Sequence, residues 1–305
     1  MKSLLEHPFM VMVRRELWEH RSLVWAPLAM ASAIIVLSLV SSTMHGGVDI
    51  DMGEGGPLPD LFSDPEKQRG IFGVMIAGLM LPQLLVGSSV VLFYLLDSLF
   101  TERRDRSILF WKSLPVSDAK TVLSKLFVAL VAMPLWIWGL SLIVGLVVFG
   151  VVAVKVVGTP AAGLGVWHGG TWFAVQASLL VKLAVASLWY LPVAGWLLLV
   201  SALAKRSPFI WATLPFLVLS VAERTAFGTN AVGSLIARRL FGIGEEMSFA
   251  PVAAAGSAAE AGIARASAMI GEFPLLADIE LWLGVVVGAV LVYAAIRVRR
   301  RSDDS

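Results

Sequence analysis

Six long apolar runs constrain the fold of this chain more than any other feature of its sequence. They occupy residues 24–43, 71–96, 121–154, 173–203, 208–222 and 281–297. Because the hydrocarbon core of a bilayer is about 30 Å thick and takes about 20 helical residues to cross, each run predicts a membrane-spanning helix. The fifth run is the shortest, with about 15 residues and Pro215 inside it, and it predicts a span that is short, kinked or continued by the residues that follow it.

The composition indicates that most of the chain lies in lipid. Hydrophobic residues make up 58% of it and charged residues 15%, whereas about a quarter of the residues of soluble domains are charged. A net charge of +2 is too small to indicate a nucleic-acid-binding protein. The absence of Cys and the four His without ligand spacing argue against thiol chemistry and a metal site. We therefore predict an all-α, polytopic membrane protein in which residues 1–305 form a single domain.

The distribution of Lys and Arg predicts which side of the membrane each segment faces. With the N-terminus inside, 16 basic residues fall in cytoplasmic segments and seven in outer segments. Cytoplasmic segments carry the excess of Lys and Arg, so both termini are predicted to be cytoplasmic, as six spans require. The first run follows a lead of about 22 residues that contains three Glu, and no small-residue cleavage site follows it, so we interpret it as a retained span.

The segments before the first span and after the fifth have helical periodicity. In residues 1–22, apolar side chains recur on one side of a helix that begins near Pro8, which predicts an interfacial helix on the inner leaflet. A simple basic anchor that sets topology is the alternative. Within residues 224–280, two further patterns predict re-entrant or amphipathic outer helices, and a partly ordered loop is the alternative. Glu223 and Arg224 end the fifth span and are candidates for an ion pair or an outer gate.

A charged island at residues 97–125 lies between two apolar runs on the predicted cytoplasmic side. It combines charges of both signs with a compact aromatic patch, which is typical of a protein interface. The residues of this candidate interface are Glu102, Arg103, Arg104, Asp105, Arg106, Ile108, Phe110, Trp111 and Leu114. The alternative is a topogenic loop whose Trp lies at the lipid interface. Pro115 ends the segment, and Ser117 is placed to cap a helix that begins at Asp118.

Several residues within the spans have expected structural roles. Four prolines predict kinks: Pro82, Pro134, Pro192 and Pro215. Glycines in the third and sixth spans predict close helix packing: Gly139, Gly145, Gly150, Gly284 and Gly288. Asp97, near the end of the second span, is expected to act as a cap or to pair with Arg103 or Arg104.

The run from residue 96 to residue 126, LDSLFTERRDRSILFWKSLPVSDAKTVLSKL, resembles the cytoplasmic loop of bacterial ABC-2 type permeases. These are the membrane subunits of ABC transporters. The stretch RRELWEHRS ahead of the first span is similar to the opening helix of that family. Six spans with both ends inside and a long segment between the last two extend the resemblance over most of the chain.

The resemblance implies an architecture and a set of partners. Residues 99–120 are the cytoplasmic coupling loop, and a coupling helix at about 106–114 fits a cleft in a separate ATPase subunit. Two permease chains and two ATPase subunits are expected to assemble in the bacterial cytoplasmic (inner) membrane and to export a substrate that the sequence does not identify. ATP and Mg are bound by the partner ATPase, and no cofactor is expected in this chain. The outer segment 224–280 is longer than the family commonly needs, which leaves open a contact with a periplasmic partner.

The chain lacks the motifs of an enzyme. It contains no G-x-x-x-x-G-K-[ST] sequence and no Gly-Lys pair, so ATP hydrolysis is expected in another subunit. Two alternatives remain open. An integral membrane enzyme or assembly factor would act through residues 224–280, although no nucleophile motif occurs there. An ion-coupled carrier would need buried acids in the middle of spans and inverted repeats, which the sequence does not display.

Overall fold

The computed structural model describes residues 8–44, 65–105, 117–156, 169–246 and 273–301, and within these residues all regular structure is helical. The elements are, in chain order, α1 (Pro8–Glu19), α2 (Ser22–Met44), α3 (Pro65–Arg104), α4 (Asp118–Phe127), a π-helical segment (Val128–Ala132), α5 (Met133–Val156), α6 (Gly169–Trp189), α7 (Leu191–Leu203), α8 (Pro208–Phe227), α9 (Ala231–Glu246), a 3-10 turn (Pro274–Ala277) and α10 (Ile279–Arg301).

Six of these helical segments are long and apolar enough to cross a membrane: α2, α3, the continuous α4–α5 unit, α6, α8 and α10. They confirm the six predicted spans. The fifth, α8, has 20 residues and continues through Pro215 to Phe227, so the expected alternative of a run continued by the residues that follow it is the one found. The N-terminal helix begins at Pro8, as predicted.

Successive spans run in opposite directions between two ends of the bundle. One of these, which we call the Glu102 end, is where α3, α7 and α10 end and α2, α4 and α8 begin. Arg299 of α10 binds both Glu102 and Asp118 there, and Arg103 donates hydrogen bonds to the last turn of α7. The helix α1 packs at the same end, against α4. Both described ends of the chain therefore lie on one side of the bundle.

Two of the prolines explain local departures from regular α-helix. A proline ring has no N–H and clashes with the carbonyl four residues earlier. Before Pro134 the helix widens into the π-helical segment, in which the N–H of Met133 reaches back five residues to Val128. Before Pro192 the fourth span breaks at Tyr190, whose φ of −84° and ψ of 0° separate α6 from α7.

Glycines allow the backbones of α7 and α10 to come into direct contact. A Cβ atom on Gly195 would lie 2.9 Å from the carbonyl oxygen of Gly288, and a Cβ on Gly288 would lie 2.9 Å from the carbonyl carbon of Leu191. The expected close packing is thus found at Gly288, between two spans of the same chain. Gly139 and Gly150 have no neighbouring atom within 4 Å of such a Cβ, so the expected packing role is not found at these two positions.

Candidate functional site

A buried network of ion pairs lies at the Glu102 end. Lys125 Nζ lies 2.9 Å from both carboxylate oxygens of Glu16 and 3.0 Å from Oε1 of Glu102. Arg299 Nη1 lies 2.5 Å from Oε2 of Glu102, and Arg299 Nε lies 3.0 Å from Oδ1 of Asp118. We call these five residues the ionic cluster. It joins α1, α3, α4 and α10, which are far apart in the sequence.

Local helical periodicity places these charges inside the protein. On α1, Glu16 follows Met12 and Val13 on the same buried face. On α4, Lys125 lies one turn after Thr121 and Val122, which are also buried. Glu16 and Lys125 are each only 1% exposed. Charges buried to this degree are tolerated when they are paired and hydrogen-bonded, and the cluster supplies these partners.

The network continues to the junction between α1 and α2. The hydroxyl of Tyr94, on α3, donates a hydrogen bond of 3.0 Å to Oε2 of Glu16. The ring of His20, which lies between α1 and α2, packs edge-on against Tyr94 with the ring centroids 4.8 Å apart. Burial lowers the pKa of His20 below its ordinary value, and the nearby Lys125 adds to this effect while Glu16 opposes it. His20 is therefore neutral at pH 7.

The residues of the predicted interface have different environments. Glu102 is buried in the ionic cluster, and Arg103 donates hydrogen bonds of 2.8 Å to the carbonyls of Ser201 and Ala204. Arg104 and Asp105 are exposed and form an ion pair of 3.1 Å. Five other predicted residues lie outside the described part of the chain: Arg106, Ile108, Phe110, Trp111 and Leu114.

The end of the island has the predicted cap. The side chain of Ser117 accepts a hydrogen bond from the N–H of Lys120, and α4 begins at Asp118. The undescribed residues 106–116 are thus bordered by Asp105 after α3 and by Ser117 before α4. Glu102 and Asp118 lie on either side of this gap in the described chain, and both bind Arg299.

At the other end of the bundle, Glu223 caps α9. Its carboxylate accepts hydrogen bonds from the N–H groups of Ala231 and Val232, at 2.6 and 2.8 Å, and from the hydroxyl of Thr229. Within the described residues no ion pair joins Glu223 to Arg224, so the predicted pairing is not found. The cap agrees with the preference for negative charge at a helix N-terminus.

The helix α9 confirms the first of the two helices predicted within residues 224–280. It packs on the break in the fourth span, where Trp189 Nε1 donates a hydrogen bond of 3.0 Å to the carbonyl of Arg239. The guanidinium of Arg239 lies over the Trp189 ring, 4.2 Å from its centroid. The second predicted helix, around residues 263–273, lies almost entirely outside the described residues.

Sequence reasoning did not identify Glu16, Lys125 and Arg299 as members of a site. A signal was present for Glu16, because it occupies the apolar side of α1 between Val13 and Leu17. Lys125 and Arg299 are surrounded by other basic residues in the sequence. They therefore could not be distinguished from the Lys and Arg residues that set membrane topology. Lys125 pairs with Glu16 and Arg299 pairs with Glu102 across more than 100 residues of the chain, so only the fold reveals these pairings.

Comparison with known proteins identifies no relative: no protein-family model, curated protein or solved structure matches the chain. Among the described residues, no group of three or more acidic or His side chains is arranged to hold a metal ion. The carboxylates of the ionic cluster face Lys and Arg instead. The ionic cluster thus links four helices through ion pairs.

Proposed function

We propose that this chain is the membrane-embedded permease subunit of an ATP-driven ABC transporter of the ABC-2 type, acting as an exporter. The observation that carries the proposal is the position of the ionic cluster around residues 106–116. Glu102 precedes this segment, Asp118 follows it, and Arg299 binds both. A force applied to the predicted coupling helix at 106–114 would reach α3 and α4 directly, and α1 and α10 through buried ion pairs.

The charge distribution supports a cytoplasmic position for this segment. The Glu102 end carries the excess of Lys and Arg, and positively charged loops remain in the cytoplasm. Arg104 and Asp105 are exposed immediately before residue 106, where they would form the charged rim of a docking surface. A soluble ATPase subunit in the cytoplasm is the partner that this position favours.

The energy source in this proposal is a second protein. A partner ATPase with a P-loop binds ATP and Mg, and this chain supplies the membrane path. The helix α8 is almost entirely exposed along its apolar length, which leaves a surface for lipid or for the second permease chain of a dimer. The bacterial cytoplasmic membrane is the location that follows from this assembly.

Replacement of Phe110 and Trp111 by Ala tests the proposal. The tagged full-length chain is purified from its own host in mild detergent, and the co-purifying proteins are identified by mass spectrometry. The wild-type chain is expected to bring down a P-loop ATPase with measurable ATP hydrolysis. The double variant is expected to reach the membrane in equal amount and to lose both the ATPase chain and the hydrolysis.

Trp211→Ala is the matched control, because Trp211 is 60% exposed on α8 and lies outside the coupling segment. It is expected to retain the ATPase. The proposal is wrong if the wild-type chain brings down no P-loop ATPase, or if the Phe110 and Trp111 double variant retains the ATPase and its activity in full.

A further inference from the structure

A cavity of about 520 Å³ opens at the Glu102 end, between the α1–α2 junction, α3 and the start of α8. One part of its wall is polar and contains His20, Ser22 and Asp97. Another part is aromatic and contains Phe93 and Phe209, which are 62% and 53% exposed. The cavity therefore presents a polar pocket beside accessible aromatic rings.

Asp97 gives this cavity a negative charge. Its carboxylate accepts a hydrogen bond of 2.6 Å from the hydroxyl of Thr101. The expected ion pair with Arg103 or Arg104 does not form, because Arg103 binds backbone carbonyls and Arg104 binds Asp105. Among the described residues, no cation lies within ion-pair distance of Asp97. Asp97 is exposed, so its carboxylate is accessible to a ligand.

The surroundings of Asp97 favour a positively charged group. His20 is neutral at pH 7, so it does not compensate the carboxylate. Aromatic ring faces attract ammonium groups within about 6 Å, and Phe93 lies one helical turn from Asp97 on the same face of α3. A carboxylate flanked by accessible aromatic rings is suited to a primary or quaternary ammonium.

An apolar surface on α3 leads from Asp97 into the membrane. Val90 and Val86 are partly exposed and lie on the same side of α3 as Asp97, because they precede it by about two and three helical turns, and Val90 also lines the cavity. The eleven residues from Val86 to Asp97 correspond to a helical rise of about 16 Å. This length is comparable to the thickness of one leaflet of a bilayer core that is about 30 Å thick.

We propose that this cavity binds the headgroup of an ammonium-bearing amphiphile through Asp97 and Phe93, with the acyl chain of the ligand lying along Val90 and Val86. The shared chemistry admits two sources, an amino phospholipid of the bilayer or a phosphate-free cationic amphiphile. The site does not depend on the proposed permease function, because it uses no residue of the coupling segment and no ATPase.

Native mass spectrometry of the purified full-length chain in a neutral detergent tests the site. The probes are phosphatidylethanolamine and phosphatidylglycerol with identical acyl chains, and sphingosine and hexadecanol. Each ammonium-bearing probe is expected to bind at least about tenfold more tightly than the probe paired with it. Phosphatidylethanolamine is compared with phosphatidylglycerol, and sphingosine with hexadecanol. Binding of both phosphatidylethanolamine and sphingosine indicates that the ammonium suffices, and binding of sphingosine alone identifies a phosphate-free amphiphile.

Asp97→Asn is expected to weaken binding of the ammonium probes about tenfold and to leave phosphatidylglycerol binding unchanged. Asp105→Asn is the control, since Asp105 is an exposed carboxylate outside the cavity. Phe93→Ala is expected to weaken the same probes, and Phe93→Trp to retain them, which separates loss of the aromatic face from misfolding. Equal binding of matched probes, or unchanged binding to Asp97→Asn, would overturn the proposal.

Discussion

At the scale of single residues, Glu16 and Lys125 are buried charges that depend on each other. Removing one partner of a buried ion pair leaves the other charge in a medium of low dielectric without compensation. Lys125 binds both Glu16 and Glu102, so its loss would leave Glu16 without its cation and take one of the cations away from Glu102. Lys125 is therefore a residue of the ionic cluster whose removal is costly to stability.

Replacing Lys125 by Met is expected to destabilise the protein by about 3–5 kcal/mol, because it leaves the buried carboxylate of Glu16 without its cation. The measurement is unfolding of the purified full-length chain in detergent. Lys120→Met on the exposed face of the same helix is the control, with an expected change within about 0.5 kcal/mol. Combining Lys125→Met with Glu16→Gln is expected to restore part of the loss. Equal stability of Lys125→Met and Lys120→Met would contradict a structural role for the ionic cluster.

At the scale of elements, the fourth span differs from the others because it is divided. The break at Tyr190 directs α7 onto α10, where Gly195 and Gly288 replace side-chain packing with backbone contact. Small residues allow such approach in membranes, where interhelical contact has little hydrophobic driving force and depends on close van der Waals packing. The helices α7 and α10 are consequently closely packed within the bundle.

Replacing Gly195 by Ala is expected to destabilise the chain by about 1–3 kcal/mol, because the new methyl group meets the Gly288 carbonyl and a backbone atom cannot move aside easily. Thermal unfolding in detergent measures this effect. Gly139→Ala, within α5, has open space for its methyl group and is expected to be neutral or stabilising by up to about 1 kcal/mol. If Gly195→Ala unfolds at the same temperature as the wild type, the close approach of α7 and α10 is not a source of stability.

At the scale of the whole molecule, the structural features that can be predicted from sequence are those that the lipid environment requires. A run of about 20 apolar residues has few alternatives to a spanning helix, because every backbone polar group must be satisfied within it. The position of an apolar run in the sequence does not reveal which helices pack against each other. The pairing of Glu16 with Lys125 depends on a contact across 109 positions. The extension of α8 beyond residue 222 was only one of three alternatives, because Glu223 and Arg224 interrupt the apolar run.

The arrangement of both chain ends at the Glu102 end makes a prediction about sidedness. The chain has no Cys. Labelling of a single introduced Cys therefore shows which side of the membrane that residue faces. Lys205→Cys lies in the exposed turn between α7 and α8, and Phe227→Cys lies at the opposite end of α8, where Phe227 is exposed. Because Lys and Arg concentrate at the Glu102 end, the Cys at position 205 is expected in the cytoplasm and the Cys at 227 outside.

In intact spheroplasts, a membrane-impermeant maleimide is expected to label Phe227→Cys and not Lys205→Cys, and lysis is expected to expose both. The wild-type chain without Cys controls for background. The opposite labelling pattern would place the charged island on the outer face, where a cytoplasmic ATPase cannot reach it. Such a result would remove the proposed coupling to ATP while leaving the helical bundle and its ionic cluster intact, so it separates the function from the fold.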